Sequence, residues 1–376
     1  MTAPAVPRSG WFSRLVLPGL AFKAVVIGGG YATGREIAEF FLPAGPWGGL
    51  AGMALATLVW SIVCATTFLF ARAVGARDYR TFFRALLGPG WVAFEIAYAC
   101  FIVLVLAVFG AAAGAILASL TGAPAIVGTL ALMVGIAGFA AFGNAAVERL
   151  FAGVSILLYG VYALFLVLAL HAFGPRIAET FAHGGPPSSG WAAGGLTYAC
   201  YNVVGAIIVL PVTRHLASDR DAVIAGLVAG PLAMLPAILF LTCMSALSPG
   251  IASQILPSDY LLTRLGQPWF HVLFQAMILA ALLESGTGCV LAINERVAIA
   301  WTRARGAAPG VATRAAVAMV VLTACMLIAE RVGLVALIAT GYRALAVTLF
   351  ALYVLPLLTI GAWRLLFPQS LRRMPA

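Results

Sequence analysis

The chain has 376 residues, of which 63% are hydrophobic and only 9% charged, and a mean hydropathy of +1.06 leaves no ordinary soluble surface to draw. Its net charge of +10 comes from 21 arginines and one lysine scattered through connections without a basic face, which argues against nucleic acid as a partner. The composition is that of an all-α polytopic membrane protein, with the lipid bilayer as one partner.

Hydrophobic runs of spanning length fall at about 18–42, 47–71, 91–119, 124–142, 150–172, 191–213, 222–247, 268–294, 311–329 and 332–363, which predicts ten transmembrane helices. The first starts behind a short tail carrying Arg8 and Arg14, with no signal-peptide cleavage pattern, and reads as a retained cytoplasmic tail. With that start inside, sixteen basic residues fall in the tails and inner connections, among them Arg72, Arg77, Arg80, Arg84, Arg149, Arg214, Arg220, Arg296, Arg303, Arg372 and Arg373. Only Arg176, Arg264 and Arg331 fall in outer connections. The asymmetry predicts that both termini are cytoplasmic and that the helix count is even.

The first run holds the densest information. Residues 24–42 read Ala-Val-Val-Ile-Gly-Gly-Gly-Tyr-Ala-Thr-Gly-Arg-Glu-Ile-Ala-Glu-Phe-Phe-Leu, an apolar helix interrupted by three glycines and resumed with charge. Each glycine lowers helix stability by roughly 1 kcal/mol, so Gly28, Gly29 and Gly30 mark where the helix opens. Opened backbone at membrane depth is tolerable only where it is buried in protein or lines a watery cavity. Gly28, Gly29, Gly30 and Thr33 are therefore candidate solute-binding positions, the freed amides and the positive end of the following half-helix suiting an anionic group such as a carboxylate. The bland alternative is close packing, since Gly30 and Gly34 form a GxxxG pair. Lys23, a turn and a half before the break, is expected to snorkel to the inner surface or else to stand in for a coupling cation. Arg35 and Glu39 are spaced to pair on one face, while Glu36 is expected to point elsewhere, into an outer vestibule where it relays cations.

The longest polar connection, 173–190, divides the chain into a first unit (1–172, helices one to five) and a second (191–376, helices six to ten). The sixth run is irregular too: Gly194-Gly195 precede Tyr198, Tyr201 and Asn202 in mid-span, and these three are candidate solute-binding residues, Asn202 foremost. The competing reading is an interhelical hydrogen bond with interface aromatics. Interruptions in helices one and six, five helices apart, suggest inverted halves around a central site. Residues 256–265 have the spacing of a short outer helix that could gate that site.

In the eighth run, Glu284 sits near mid-membrane, with Thr287 and Gly288 on the same face. An isolated carboxylate is costly to keep charged in hydrocarbon, which makes Glu284 a candidate proton acceptor and Thr287 a candidate cation ligand. The opposing reading is a structural ion pair between Glu284 and Arg343 of helix ten. Glu95, Glu148 and Glu330 lie near helix ends and read as solvated or paired with neighbours such as Arg149 and Arg331. The six cysteines all fall inside predicted helices and the four histidines are isolated, so neither disulfides nor a metal centre are expected; the only cofactor expected is a coupling ion, H+ or Na+.

The run Gly28 to Ile37, with ten helices arranged five plus five, resembles the YkvI-type family of bacterial membrane proteins, within the amino-acid/polyamine/cation transporter superfamily. The resemblance implies a LeuT-like 5+5 inverted repeat with broken helices 1 and 6, a midplane solute site between them and ion-coupled transport. In sodium-coupled members, this part of helix eight supplies hydroxyl ligands. Thr287 fits, but Gly288 carries no hydroxyl, which favours a proton.

These features predict a secondary transporter of a small polar solute, an amino acid or related amine, working by symport without an obligatory protein partner. An intramembrane enzyme would need a nucleophile with its base, or clustered metal ligands, and neither motif is present; a Walker motif is also missing. A ligand sensor on a transporter-like scaffold is the main alternative, and a passive channel a weaker one.

Overall fold

The computed structural model describes residues 10–142, 144–307, 309–367 and 369, with the side chains of 141–156 left aside. Helix dominates throughout. In chain order the elements are α1 (Trp11–Leu15), α2 (Leu17–Val26), α3 (Gly29–Ala32), α4 (Arg35–Phe40), α5 (Gly45–Val74), α6 (Tyr79–Leu87), α7 (Trp91–Thr121) and α8 (Ala125–Phe142). They continue with α9 (Asn144–Ala182), α10 (Trp191–Asn202), α11 (Val204–Ile208), α12 (Asp219–Ser245), α13 (Pro257–Leu265), α14 (Pro268–Arg305) and α15 (Val311–Val332). A final stretch, α16 (Leu334–Leu366), alternates α and π turns.

By length and composition, 8 helical stretches are long and apolar enough to cross a membrane, and Leu17–Val26 and Ala125–Ala140 are shorter apolar helices. Ten full-length spans are therefore not established among the described residues; the glycine break shortens the first, and the fourth, Ala125–Phe142, begins where the sequence places it. The expected loop from 173 is also shorter than drawn, because α9 continues through Pro175 to Ala182. Arg8, Arg372 and Arg373, and the side chains of Glu148 and Arg149, lie outside what is described.

Two helix groups form. The broken first helix, α5, α10 and α12 pack together, and α7, α8, α14 and α15 make a second layer around them. Small residues let the first group close. A Cβ on Gly226 of α12 would overlap the backbone of Ala65 in α5, and one on Gly230 would overlap the Ser61 hydroxyl. That hydroxyl donates across the contact to Leu227 O at 2.9 Å. Backbone approach this close is how membrane helices gain packing without a hydrophobic drive between them. Gly226→Val is accordingly expected to lower stability by about 1–3 kcal/mol or more. Thermal unfolding in detergent checks it, and an unchanged midpoint would contradict the contact.

Polar groups at the helix ends hold the layers. On the arginine-rich face Arg72 binds Asp219 at 2.7 Å and Leu216 O at 3.0 Å, and Arg14 lies 3.5 Å from Asp221. On the opposite face α13 occupies the position expected of a short covering helix. Its Asp259 Oδ1 accepts from Gln275 Nε2 at 2.8 Å and Ser119 Oγ at 3.1 Å, and lies 2.6 Å from His271 Nε2. Ser258 N donates to Thr33 O at 2.9 Å, which ties α13 to the broken helix.

Candidate functional site

The opening of the first helix is real and has two parts. Helical geometry ends at Ile27 (ψ 77°), and Gly28 is extended (ψ −167°), its N–H turned back to Val26 O at 2.8 Å. One turn, α3, follows. Gly34 then takes φ +76°, in the left-handed region that glycine enters without cost, and α4 starts in a new phase. Thr33, fully buried, places its hydroxyl on Gly30 O at 3.1 Å. It satisfies the opened backbone rather than facing a solute.

The new phase determines where Glu36 points. Its side chain folds back over the break: Oε1 and Cγ stand where a Cβ on Gly30 would be, and the carboxylate accepts from the Tyr31 backbone N–H. Oε2 receives the Tyr201 hydroxyl of α10 at 2.6 Å. Glu36 is 3% exposed, so the outer vestibule expected for it is corrected to the buried centre between helices one and six. One amide just after the glycine break, that of Tyr31, is thus engaged by the protein's own carboxylate.

Tyrosines surround this group. The ring of Tyr201 lies 5.7 Å from Tyr198 and 4.5 Å from Tyr342 of α16. Tyr31 and Tyr198 are fully buried, and their hydroxyls, with that of Tyr162 in α9, have no hydrogen-bond partner among the described residues. Trp60 of α5 packs 5.4 Å from Tyr198 and donates to Ala199 O at 3.1 Å, fixing α10 in place. Asn202 is at this level but donates to Tyr198 O of its own helix at 3.1 Å. The sixth helix is interrupted by little: Val203 alone separates α10 from α11, and 3-10 turns follow at Leu210–His215.

Charge layers flank the centre on either side. Toward the opposite face, Arg35 binds Glu39 at 2.9 Å and the Ala252 and Gln254 carbonyls, each at 2.9 Å. The pairing with Glu39 agrees with its i,i+4 spacing. Arg343 reaches Glu39 at 3.1 Å, so its partner is Glu39 and not the Glu284 considered from sequence. A cavity of about 300 Å³ opens here, lined by Glu39, Phe40, Gly194, Thr197 and Arg343 among others. Phe40 separates it from the tyrosines, 5.9 Å from Tyr201 and 6.3 Å from Tyr198.

Toward the arginine-rich face, a cavity of about 350 Å³ is lined by Arg77, Tyr79, Arg80, Tyr98, Ile207 and Arg296 among others. Three of its lining residues, Tyr79, Arg80 and Arg296, converge on Glu95, which is paired, one of the two readings its helix-end position allowed. It accepts from Tyr79 at 3.0 Å and lies 3.9 Å from Arg296 and 4.0 Å from Arg80. The Arg296 guanidinium stacks over Tyr98 at 4.1 Å and Tyr79 at 4.5 Å.

The remaining candidates sit apart from the tyrosines. Lys23 does not snorkel: it is 7% exposed, with its ammonium 3.7 Å from the centre of the Tyr159 ring on α9. Glu284 is partly buried on α14, with no hydrogen bond or ion pair to a described residue. Thr287 is fully buried and donates to Leu283 O at 2.7 Å. Among the described residues no cluster of three metal-ligating side chains occurs.

Sequence reading missed Tyr31, Tyr162, Tyr342 and the partners of Glu95. Only Tyr31 carried a signal, its position beside the glycine run. Tyr162 and Tyr342 lie in apolar runs where a tyrosine reads as an interface aromatic.

No protein-family profile and no curated protein matches the chain. Solved structures match it over nearly its whole length. One is a Na+-coupled sialic acid symporter in a substrate-bound outward-open state, at 14% identity over 94% of this chain and 79% of that one, TM-score 0.63. Another is Mhp1, a nucleobase-cation-symport-1 family transporter with bromovinylhydantoin bound, at 17% identity over 98% and 82%, TM-score 0.65. MhsT in complex with L-phenylalanine matches at 17% identity over 96% and 98%, TM-score 0.52. At these identities the likeness establishes the fold, which is LeuT-like.

Proposed function

We propose that the chain is a secondary active transporter of a small polar solute, an amino acid or related amine, working by alternating access, and that it belongs with the YkvI-type proteins its first helix resembles. One observation carries the reading. A buried polar centre at the helix break lies between two cavities on opposite faces, parted from one by Phe40, while Ile207, further along the same broken helix as Tyr201, lines the other. Phe40 and the Arg35–Glu39–Arg343 group stand on one side, and Ile207 with the Glu95–Arg296 group on the other. Opening either layer in turn would expose the same centre, which is what alternating access requires. The transporters named above share the fold, and sodium or cation coupling stands in the descriptions of two of them.

For the coupling ion the reading assigns a proton to Glu284. It is a mid-helix carboxylate without a described partner, and a charge left alone at that depth is costly unless it is neutralised. Thr287 offers a single hydroxyl already given to its own helix, a poor start for a sodium site.

Proteoliposomes test this. Uptake of amino acids and amines is measured under a pH gradient and, separately, a sodium gradient. We expect accumulation driven by the pH gradient, and we expect Glu284→Gln to lose that drive while retaining solute exchange at equal pH. Sodium-driven uptake indifferent to Glu284→Gln would remove the proton assignment. Failure of every solute to move, with binding intact, would favour a sensor instead.

A further inference from the structure

We infer that the centre selects an organic cation, a primary or substituted ammonium without a carboxylate of its own, with Glu36 as its counter-charge and the surrounding tyrosines as its cage. The inference rests on the transporter reading only in taking this centre as the solute site.

The argument begins with charge. Among the described residues Glu36 forms no ion pair, although Arg35 is its chain neighbour, because the Arg35 guanidinium turns away to Glu39 and to two backbone carbonyls. A buried carboxylate held by one phenol and one amide still lacks a cation. The second observation is the set of orphaned oxygens. The Tyr31, Tyr162 and Tyr198 hydroxyls are buried without partners among the described residues, an arrangement that native proteins rarely leave unexplained. An ammonium supplies donors for several such oxygens together, and a phenol accepts as readily as it donates. The third is the aromatic content: the ring of Tyr201, whose hydroxyl binds the carboxylate, has Tyr198 edge-on at 5.7 Å and Tyr342 tilted at 4.5 Å, and ring faces attract cations, most strongly where water is excluded.

The same geometry disfavours an amino acid. In a broken first helix the amides after the break are the natural seat for a solute carboxylate. Here the Tyr31 amide holds Glu36, so a second carboxylate would be set against a like charge in a poorly screened site. An ammonium instead meets Glu36 directly, donating to the carboxylate beside the Tyr201 hydroxyl, whose oxygen can accept from the same ammonium.

A matched ligand set tests the inference on the full chain purified in detergent. The probes are 2-phenylethylamine, phenylalanine and 3-phenylpropionate, which share a ring and differ in charge, with choline and sodium chloride as further cations. Affinity is read by thermal shift and titration calorimetry. We expect the amine or choline to bind at least tenfold more tightly than phenylalanine and the carboxylate not to bind. Glu36→Gln should abolish amine binding, Glu36→Asp should restore part of it, and Tyr201→Phe should weaken it severalfold. Should Glu36→Gln fail to fold, the wild-type ranking and Tyr201→Phe still decide. Tighter binding of phenylalanine or of the carboxylate, undiminished amine binding by a folded Glu36→Gln, binding of sodium alone, or no binding of any cation would each overturn the inference. The transporter reading fails separately: amine binding without flux in proteoliposomes would end that reading and leave the cation site standing, whereas flux of an amino acid that excludes amines would do the reverse.

Discussion

Gly30→Ala should fold normally and lose solute affinity by roughly a hundredfold, about 2.7 kcal/mol, while Gly28→Ala should stay close to wild type. The three consecutive glycines differ in what surrounds them. A Cβ on Gly28 would sit 3.4 Å from the Phe109 ring, an ordinary contact that a small shift accommodates. On Gly29 it would overlap Leu282 of α14 and come within 2.8 Å of Phe109, so substitution there strains the packing of two layers and costs stability. On Gly30 the three nearest atoms all belong to Glu36, with Cδ and Cγ each at 2.8 Å and Oε1 nearer still. That side chain is flexible and can swing away. Alanine is also the better helix former, which offsets part of the cost of displacing the carboxylate. The carboxylate, however, leaves the Tyr31 amide and the Tyr201 hydroxyl, and the polar centre comes apart. Melting temperature and ligand titration on the three alanine variants separate these fates. A Gly30→Ala protein that binds like wild type would show that the solute does not depend on Glu36.

This contrast also marks how far the sequence could be read. A glycine triplet inside an apolar run identified the break, because helix propensity acts locally and three weak positions in succession leave little doubt. The i,i+4 pair Arg35–Glu39 and the short helix Pro257–Leu265 were legible for the same reason: both depend on spacing within one element. Glu36 was misplaced because a helical wheel drawn from residue 18 to 42 assumes one continuous phase. Gly34 at φ +76° resets it, turning Glu36 inward. Arg343 was considered as a partner of Glu284, the alternative to a coupling role, since both fall near mid-membrane in a linear count. The π turns of α16 alter the register of that helix, and the true partner lies 304 positions away in sequence, beyond any periodicity. Tyr162 and Tyr342 escaped notice because nothing in their neighbours separates a tyrosine facing a polar centre from one facing lipid headgroups. Contacts inside an element were visible, and contacts that needed two elements placed in space were not.

The second large effect concerns the layer that closes the face carrying α13. Glu39→Ala should shift the resting protein toward an opening on that face and abolish net transport, whereas Arg343→Ala should change either property only slightly. Glu39 bridges two arginines, yet the bridges are unequal. Its partner Arg35 has a side chain 7% exposed, with two carbonyls as its remaining acceptors, while the side chain of Arg343 is 60% exposed. An exposed ion pair contributes about 0–1 kcal/mol, since water serves each charge nearly as well. Removing one partner of a buried pair costs about 3–5 kcal/mol, because the remaining charge has lost its compensation. That cost falls on the closed arrangement alone: once the layer opens, water solvates Arg35. The equilibrium between closed and open therefore moves by a factor of more than a hundred, enough to reverse a closed state favoured by two or three kcal/mol. Hydrogen exchange reports this directly. In Glu39→Ala the amides of Arg35–Phe40 and of 246–256 should exchange faster, while those of α6 and the start of α7, on the arginine-rich face, should not. Equal exchange in Glu39→Ala and Arg343→Ala would mean that burial does not set the strength of this layer, and closure would then have to come from Phe40 and its aromatic neighbours.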